Sequence, residues 1–243
     1  MARHRSAPPL ATPASAGVAP GPVDVDADLF EASLMLLAGT PRLQHPGDGR
    51  ARDAWAVVGD CAGAGLRAEF ETEPAAARFA DLMRAVPDAR CWIRRHVAGI
   101  RRRYETFIVD VDGAEPLRVV GRLHGEWTRG VGLLLDDGKA DGTSSGTADG
   151  AVLRTRAAAV WRCALLTASP RVSHTGLRLR SRDRSSVRLL VRAAQVLGVA
   201  CRAGSRVVQA EGRGIIVLLS TVRPVPDAWD PSVETHRNLV TKR

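Results

Sequence analysis

Long apolar stretches are missing from this 243-residue sequence. No window reaches the roughly 18 uninterrupted apolar residues that a membrane-spanning helix needs. The N-terminus carries basic residues but lacks the apolar segment of a secretory signal peptide. We therefore expect a cytoplasmic protein that does not enter the membrane. The length allows one domain or two small ones, and an apolar fraction of 45% is enough for a packed core.

The common motifs of metal sites and enzymes are also missing. There are four cysteines, but no CxxC pair, and no histidine stands at zinc-ligand spacing from any of them. We expect reduced and mostly buried thiols instead. The sequence contains no phosphate-binding P-loop and no GxGxxG. Its one GxSxG match, GTSSG at 142–146, lies in a Gly-, Asp- and Ser-rich stretch and not between a predicted strand and a helix, so nothing indicates a serine hydrolase or a nucleotide-dependent enzyme. No cofactor and no bound metal are predicted.

Lysine is nearly absent, since Lys139 and Lys242 are the only two. The formal charge of +9 and the isoelectric point near 10.7 therefore come almost entirely from arginine. A strongly basic chain favours a nucleic-acid partner. Arginine is abundant here together with alanine, glycine and proline, however, and GC-rich coding produces the same bias. The charge alone leaves both explanations open.

The sequence repeats itself. LFEASLMLLAGTPRLQ (29–44) matches AAVWRCALLTASPRVS (158–173), and 64–91 matches 175–202, each of the latter pair containing Gly-Leu-Arg near its start. The offset between the halves changes from 129 to 111 residues, which predicts an inserted loop of about 18 residues at 46–63 in the first half. Composition then divides the chain into a disordered tail, a first repeat, a linker, a second repeat and a C-terminal tail: 1–26, 27–135, 136–150, 151–222 and 223–243.

Within each repeat the apolar periodicity predicts a helix, a strand, a helix and two further strands. Residues 66–70 alternate like a half-buried strand, and Thr72 is the expected cap of the following helix, with Pro74 in its first turn. In the second half, Ser185 is the expected cap of the equivalent helix. The further strands are predicted at 104–112, 117–123, 206–210 and 214–220. Helices packed on one face of an antiparallel sheet define an α+β fold.

The two apolar helices that end in LLAGTPRLQ and ALLTASPRVS resemble the signature helices of LAGLIDADG homing endonucleases. In that family two such helices pack side by side at a pseudo-two-fold axis. Small residues are needed where the two backbones approach closely. The resemblance therefore implies a duplicated LAGLIDADG-like fold, with Ala38, Gly39, Ala164 and Ala168 at the contact between the repeats.

Several segments, in matching order, resemble the WhiA family of sporulation regulators. Residues 159–166 (AVWRCALL) are similar to the AAWRGAFL stretch of that family, and 187–203 are similar to its ALVGAARRLG-type helix and turn. Residues 98–101 followed by Tyr104 resemble a GIR…Y strand start, and 123–133 resemble a loop of that family. The resemblance implies a cytoplasmic regulatory protein of sporulation or cell division, with DNA or another transcription regulator as its partner.

WhiA-type proteins continue into a C-terminal helix-turn-helix domain that binds promoter DNA. Only 21 residues follow Val222 here, and Pro224, Pro226 and Pro231 interrupt them. Three helices with their turns need on the order of 40–50 residues. We therefore expect the DNA-reading domain to be absent.

LAGLIDADG nucleases place an acidic residue at the end of each signature helix to hold the catalytic metals. Carboxylates suit this task because Mg²⁺ prefers hard, charged oxygen ligands. The equivalent positions here are Gln44 and Ser173, and neither supplies a charged oxygen. Asp48 is close to the first position, but the second half offers no carboxylate before Asp183. The sequence therefore predicts a protein without nuclease activity.

The strand predicted at 176–182 places Arg178, Arg180 and Arg182 on one face and leucines on the other. Arg67 holds the matching position in the first half, where glutamates follow it. In LAGLIDADG proteins this strand face meets DNA, so we predict weak, non-specific phosphate contacts by these four arginines. A solvated strand face is the alternative. A protein-interaction module that never touches DNA and a metal-dependent DNA endonuclease are the competing functions.

Overall fold

The structure is a computed structural model that describes residues 24–40, 51–62, 65–98, 104–136, 147–168, 170–173, 176–181 and 184–221. In its first half these residues form α1 (Val25–Gly39), α2 (Ala51–Ala62), β1 (Leu66–Phe70), α3 (Glu73–Met83), β2 (Arg90–Ala98), β3 (Tyr104–Asp112) and α4 (Pro116–Leu135). In its second half they form α5 (Thr147–Thr167), β4 (Arg171–Val172), β5 (Gly176–Arg180), α6 (Arg184–Val196), β6 (Cys201–Ala203), β7 (Val207–Glu211) and α7 (Gly214–Ser220).

The strands form two antiparallel sheets. The first sheet has the order β1-β3-β2 and the second has the order β4-β5-β7-β6. Both halves share the chain order helix, strand, helix, strand, strand, helix, with α2 and β4 as additions. In each sheet the last strand of this series lies in the middle, between the other two. The predicted α+β class is confirmed.

Local sequence signals place the first strand and the helix after it. Leu66, Ala68 and Phe70 of β1 are buried, because successive side chains of a strand point to opposite faces. The Thr72 side chain accepts a hydrogen bond from the amide of Ala75 at 3.4 Å and so caps α3, as the sequence predicted. The apolar stripe of α3 is buried as well.

The second half obeys the same rules with one shift. Leu177 and Leu179 of β5 are buried while Arg178 and Arg180 are exposed, which confirms the predicted alternation. The predicted cap Ser185 is wrong, because α6 begins one residue earlier at Arg184 and includes it.

Two of the predicted strands are wrong. Residues 117–123 belong to the 20-residue helix α4, and 214–220 form helix α7. The buried positions of α4 include Val119, Val120 and Leu123, spacings that follow a helical turn and not the alternation of a strand. A β-branched pair such as Val119-Val120 favours a strand, but tertiary packing overrides that weak preference. Residues 123–133, compared above with a WhiA loop, also lie inside α4.

The predicted insertion contains a helix. Residues 51–62 form α2, although the stretch 46–63 was interpreted as a loop. Trp55 anchors α2 on α4: its ring stacks on His124 with 5.0 Å between centroids and meets Trp127 edge-on at 6.1 Å. Burial of a Trp of this kind fixes a helix by its large apolar area. Strands β2, β4 and β6 were not predicted.

Some of the predicted boundaries move. Helix α1 begins at Val25, inside the segment assigned to the disordered tail, and α5 begins at Thr147, inside the segment assigned to the linker. The remainder of those segments, and the C-terminal tail, lie outside the described residues. None of the helices in the described ranges is long and apolar enough to cross a membrane.

Helices α1 and α5 pack against each other at the centre of the molecule, and α1 contributes to the cores of both halves. Leu29, on α1, belongs to the core of the first half, whereas its neighbour Phe30 belongs to the core of the second half with Trp161. A helix that is apolar on most sides is buried from several directions. The relative position of the two sheets therefore depends on α1.

The four small residues near the ends of α1 and α5 each pack against the core of their own half. A Cβ placed on Gly39 would lie 2.9 Å from the ring of Phe70 and 3.1 Å from Ala68, so the glycine makes room for β1. The predicted contact of Gly39 with the second repeat stays a prediction. Ala38 packs on the first core, and Ala164 and Ala168 pack on the second.

Candidate nucleic-acid interface

The outer face of the second sheet is rich in arginine. Strand pairing aligns Arg171 with Arg178, Arg178 with Gln209, and Gln209 with Arg202. These four residues form one row across the sheet, with about 4.8 Å between neighbouring strands. Arg180 lies on the same face, two residues along β5. We call Arg171, Arg178, Arg180 and Arg202 the arginine face.

Most of the positive charge on this face is not neutralised. Within the described ranges, no acidic side chain forms an ion pair with Arg171, Arg178 or Arg180. Arg202 lies 3.8 Å from Glu211, at a site where both side chains are largely exposed. Exposed pairs of this kind interact weakly in water. The face therefore carries a net positive potential.

The first sheet presents a different outer face. The carboxylate of Asp110 receives Arg67 at 2.7 Å and Arg94 at 2.6 Å, from the strands on either side of it. Arg67, predicted to contact DNA, is thus paired with an acid of its own sheet. Glu69 and Asp112 add negative charge along the same face. The outer face of the first sheet therefore mixes basic and acidic side chains, with Arg90 directly opposite Asp112, whereas Arg171, Arg178 and Arg180 of the second sheet have no acidic partner among the described residues.

A recess of about 210 Å³ opens in the arginine face where β4, β5 and β7 meet. Its lining consists of Arg171, Val172, Ser173, Gly176, Arg178 and Gln209. The Ser173 hydroxyl donates to the Gly176 carbonyl and accepts from the Gly176 amide, both at 3.1 Å, and so links the end of β4 to the start of β5. The Gln209 amide group donates to Glu211 at 3.2 Å. The recess was not predicted, because strand β4 was not.

The positions compared with the catalytic acids of LAGLIDADG nucleases fall in different settings. Ser173 does not end helix α5, which stops at Thr167; it follows β4 and is hydrogen-bonded to Gly176 at the start of β5. Its predicted place at a helix end is therefore corrected. Gln44, Arg182, Asp48 and Asp183 lie outside the described residues. In the part of the chain that the structure describes, no three metal-ligating side chains gather at one point.

A buried ionic cluster joins the two halves, and sequence reasoning missed it. Glu31 of α1 is 1% exposed and accepts two hydrogen bonds from Arg78 of α3, both at 2.9 Å. It also accepts one from Arg162 of α5, whose Nε donates to the Thr221 carbonyl at 2.6 Å. The signal in the sequence was a lone glutamate within an apolar helix, since buried carboxylates need a cationic partner.

No protein-family model matches this chain, and no curated protein matches it. Among solved structures it is similar to full-length DUF199/WhiA from Thermotoga maritima, with 12% identity and a TM-score of 0.43 over 83% of this chain and 61% of that protein. It is also similar to the N-terminal LAGLIDADG domain of DUF199/WhiA, with 11% identity and a TM-score of 0.38 over 83% of this chain and 91% of that domain.

The fold is thus an α+β arrangement of two antiparallel sheets. Its structural resemblance to the LAGLIDADG domain of WhiA is distant. The chain spans about 61% of the length of full-length WhiA.

Proposed function

We propose that this protein is a non-catalytic regulatory domain of the LAGLIDADG-like type, which touches DNA weakly and without sequence specificity. The observation that carries the proposal is the difference between the two sheets. Arg171, Arg178 and Arg180 of the second sheet have no acidic partner among the described residues, whereas Arg67 and Arg94 of the first sheet are both paired with Asp110.

Unpaired arginines in a row suit a phosphate backbone. The guanidinium group is always charged and binds phosphate oxygens with two parallel hydrogen bonds. An array of such groups on a rigid sheet binds a polyanion by releasing its counterions, which makes affinity dependent on salt. Contacts to phosphate position a protein on the duplex but carry no base information, so binding of this kind is non-specific.

The non-catalytic part of the proposal is supported by the residues at the two acid positions. Gln44 and Ser173 cannot supply the charged oxygen that Mg²⁺ needs. The Ser173 hydroxyl is moreover engaged with both backbone groups of Gly176. A metal-dependent endonuclease is therefore the less favoured alternative.

We further propose that the two halves are copies of one ancestral unit related by a pseudo-two-fold axis. The shared order of elements and the equivalent central strands support this duplication. A role in transcriptional regulation of sporulation or cell division rests on the sequence resemblance to WhiA regulators alone, because one fold serves many functions. A partner regulator bound through protein contacts is the second candidate.

Fluorescence anisotropy with a labelled 20-base-pair duplex that carries 5′-hydroxyl ends tests the DNA contact. We expect a Kd in the range of about 10⁻⁴ to 10⁻⁶ M, with a log–log salt slope of roughly −3 to −4. Arg178→Gln with Arg180→Gln should flatten the slope by about two units, since each phosphate contact contributes about 0.9. Arg67→Gln is the matched control and should leave the slope nearly unchanged, because the Arg67 guanidinium is already engaged by Asp110.

Other outcomes would point elsewhere. A nanomolar preference for one duplex sequence would contradict non-specific binding. Absence of binding even at about 20 mM salt, where phosphate contacts are strongest, would favour the protein-interaction module. Plasmid nicking that depends on Mg²⁺ and stops on chelation would establish an enzyme.

A further inference from the structure

Two arginines face each other across the edge of the second sheet with no acid between them. Arg171 of β4 and Arg178 of β5 are directly paired residues, and both side chains are exposed. Like charges at directly opposite positions of antiparallel strands repel each other. No acidic group in the described residues pairs with either one. A dianion bound between them would turn this repulsion into two attractive contacts.

The remaining lining of the recess is compatible with such a ligand. Gly176 has no side chain to fill the space, and a Cβ there would already lie 3.4 Å from the Ala210 carbonyl. The Gln209 amide group is a further hydrogen-bond donor on the same face. Glu211, the acid that follows Gln209 on the same face of β7, is itself held by Gln209 at 3.2 Å and by Arg202 at 3.8 Å, which reduces its repulsion of an anion.

We propose that this recess binds a phosphate monoester in its dianionic form, clamped between Arg171 and Arg178. A monoester carries nearly two negative charges at pH 7 and so matches two guanidinium groups, whereas an internal phosphodiester carries one. The recess of about 210 Å³ corresponds to several water molecules. It therefore has room for the phosphate group and the first atoms of its ester substituent.

The ligand chemistry has two sources, a 5′-terminal phosphate of a nucleic-acid strand and a small phosphorylated molecule such as a mononucleotide. The inference rests on the same face as the proposed function but not on duplex binding. Contacts along a duplex backbone need only a positive surface, and the monoester site needs the paired arginines of the recess.

Two single-stranded oligonucleotides of identical sequence, one with a 5′-phosphate and one with a 5′-hydroxyl, provide the test. Adenosine monophosphate and inorganic phosphate are titrated separately by calorimetry. We expect the 5′-phosphate to tighten oligonucleotide binding about ten-fold, as charge-assisted bidentate contacts do. Arg171→Gln and Arg178→Gln should each abolish this ten-fold difference in affinity between the two oligonucleotides. Arg180→Gln is the control, because Arg180 shares the face but does not line the recess; it should weaken both oligonucleotides and keep the ratio.

The outcomes separate the two proposals. Equal affinity for the two oligonucleotides, with no binding of adenosine monophosphate or phosphate at millimolar concentration, would overturn the monoester site and leave duplex binding untouched. Binding of adenosine monophosphate that Arg171→Gln abolishes, without any duplex binding, would support the site and refute the proposed function. Selective binding of the 5′-phosphorylated strand identifies the strand terminus as the source. Circular dichroism and the thermal midpoint of each variant check that it is folded.

Discussion

Among the described charged residues that form ion pairs between the two halves, Glu31 is the most deeply buried. Burial disfavours the charge of Arg78, but its hydrogen bonds to Glu31 and the nearby negative charge outweigh this effect and raise the pKa of the guanidinium. Burial likewise raises the pKa of Asp28, with the charge of Arg78 opposing the shift. Arg78 therefore keeps its positive charge near neutral pH.

Replacement of Glu31 by Gln keeps the shape of the side chain and removes its charge. Two guanidinium groups then lose the carboxylate that they share, and only the more exposed Asp28 and Asp81 remain beside Arg78. Removal of one partner of a buried ion pair costs about 3–5 kcal/mol. The side chains of Arg78 and Arg162 are 23% and 17% exposed, so water offsets part of this cost. We expect the free energy of unfolding to fall by about 2–3 kcal/mol in urea denaturation.

The matched control is Asp28→Asn on the same helix. Its carboxylate is 32% exposed and lies 3.8 Å from Arg78, so the change should cost less than about 1 kcal/mol. Equal effects of the two substitutions would mean that burial of the Glu31 cluster contributes nothing to stability.

At the scale of elements, helix α4 shows how glycine permits a close approach. A Cβ on Gly130 would overlap the ring of Phe30 on α1 and would lie 2.8 Å from the guanidinium of Arg156 on α5. Arg156 in turn stands over the Phe30 ring, 5.4 Å from its centroid. Gly130 therefore sets the distance at which α1, α4 and α5 meet.

Gly130→Ala tests this contact, and Gly125→Ala on the same helix is the control. Alanine is favoured over glycine in a helix by about 1 kcal/mol, but here its methyl group would enter an occupied space and cost about 1–3 kcal/mol through overpacking. Gly125 lies on the same helix, with no atom within 4 Å of a Cβ placed there. Gly125→Ala should stabilise the protein by up to about 1 kcal/mol. Urea midpoints that rise for both variants would contradict the packing of α4.

At the scale of the whole molecule, the two halves share a helical interface and not merely a covalent connection. Phe30 of α1 packs in the core of the second half, while Cys163 of α5 packs in the core of the first. The Glu31 cluster crosses the same interface. Unfolding one half would expose apolar surface of the other, which opposes a stable intermediate.

We therefore expect a single cooperative unfolding transition. Tryptophans report on both halves, with Trp55 and Trp127 in the first and Trp161 fully buried in the second. Intrinsic fluorescence and circular dichroism at 222 nm should give the same urea midpoint, as two-state unfolding requires. Midpoints that differ by more than the experimental error would show that the halves unfold independently.

Short-range patterns in the sequence determined the elements that have a clear period and a clear end. The alternation of 66–70 and the Thr72 cap placed β1 and α3, and the leucine and arginine alternation placed β5 with its arginines outward. These signals depend on neighbouring residues only, because strand period and helix capping are local properties. The repeat in the sequence likewise indicated equivalent elements in the two halves.

Tertiary structure alone decided the rest. Residues 117–123 became part of a helix because Val119, Val120 and Leu123 find a shared core on one side, which no local preference specifies. Arg67 forms an ion pair with Asp110, 43 residues away in sequence. The recess between Arg171 and Arg178 exists only because β4 pairs with β5. Each of these features depends on contacts between segments distant in sequence. An arginine can bind a ligand only if the folded chain does not already pair it with an acidic side chain.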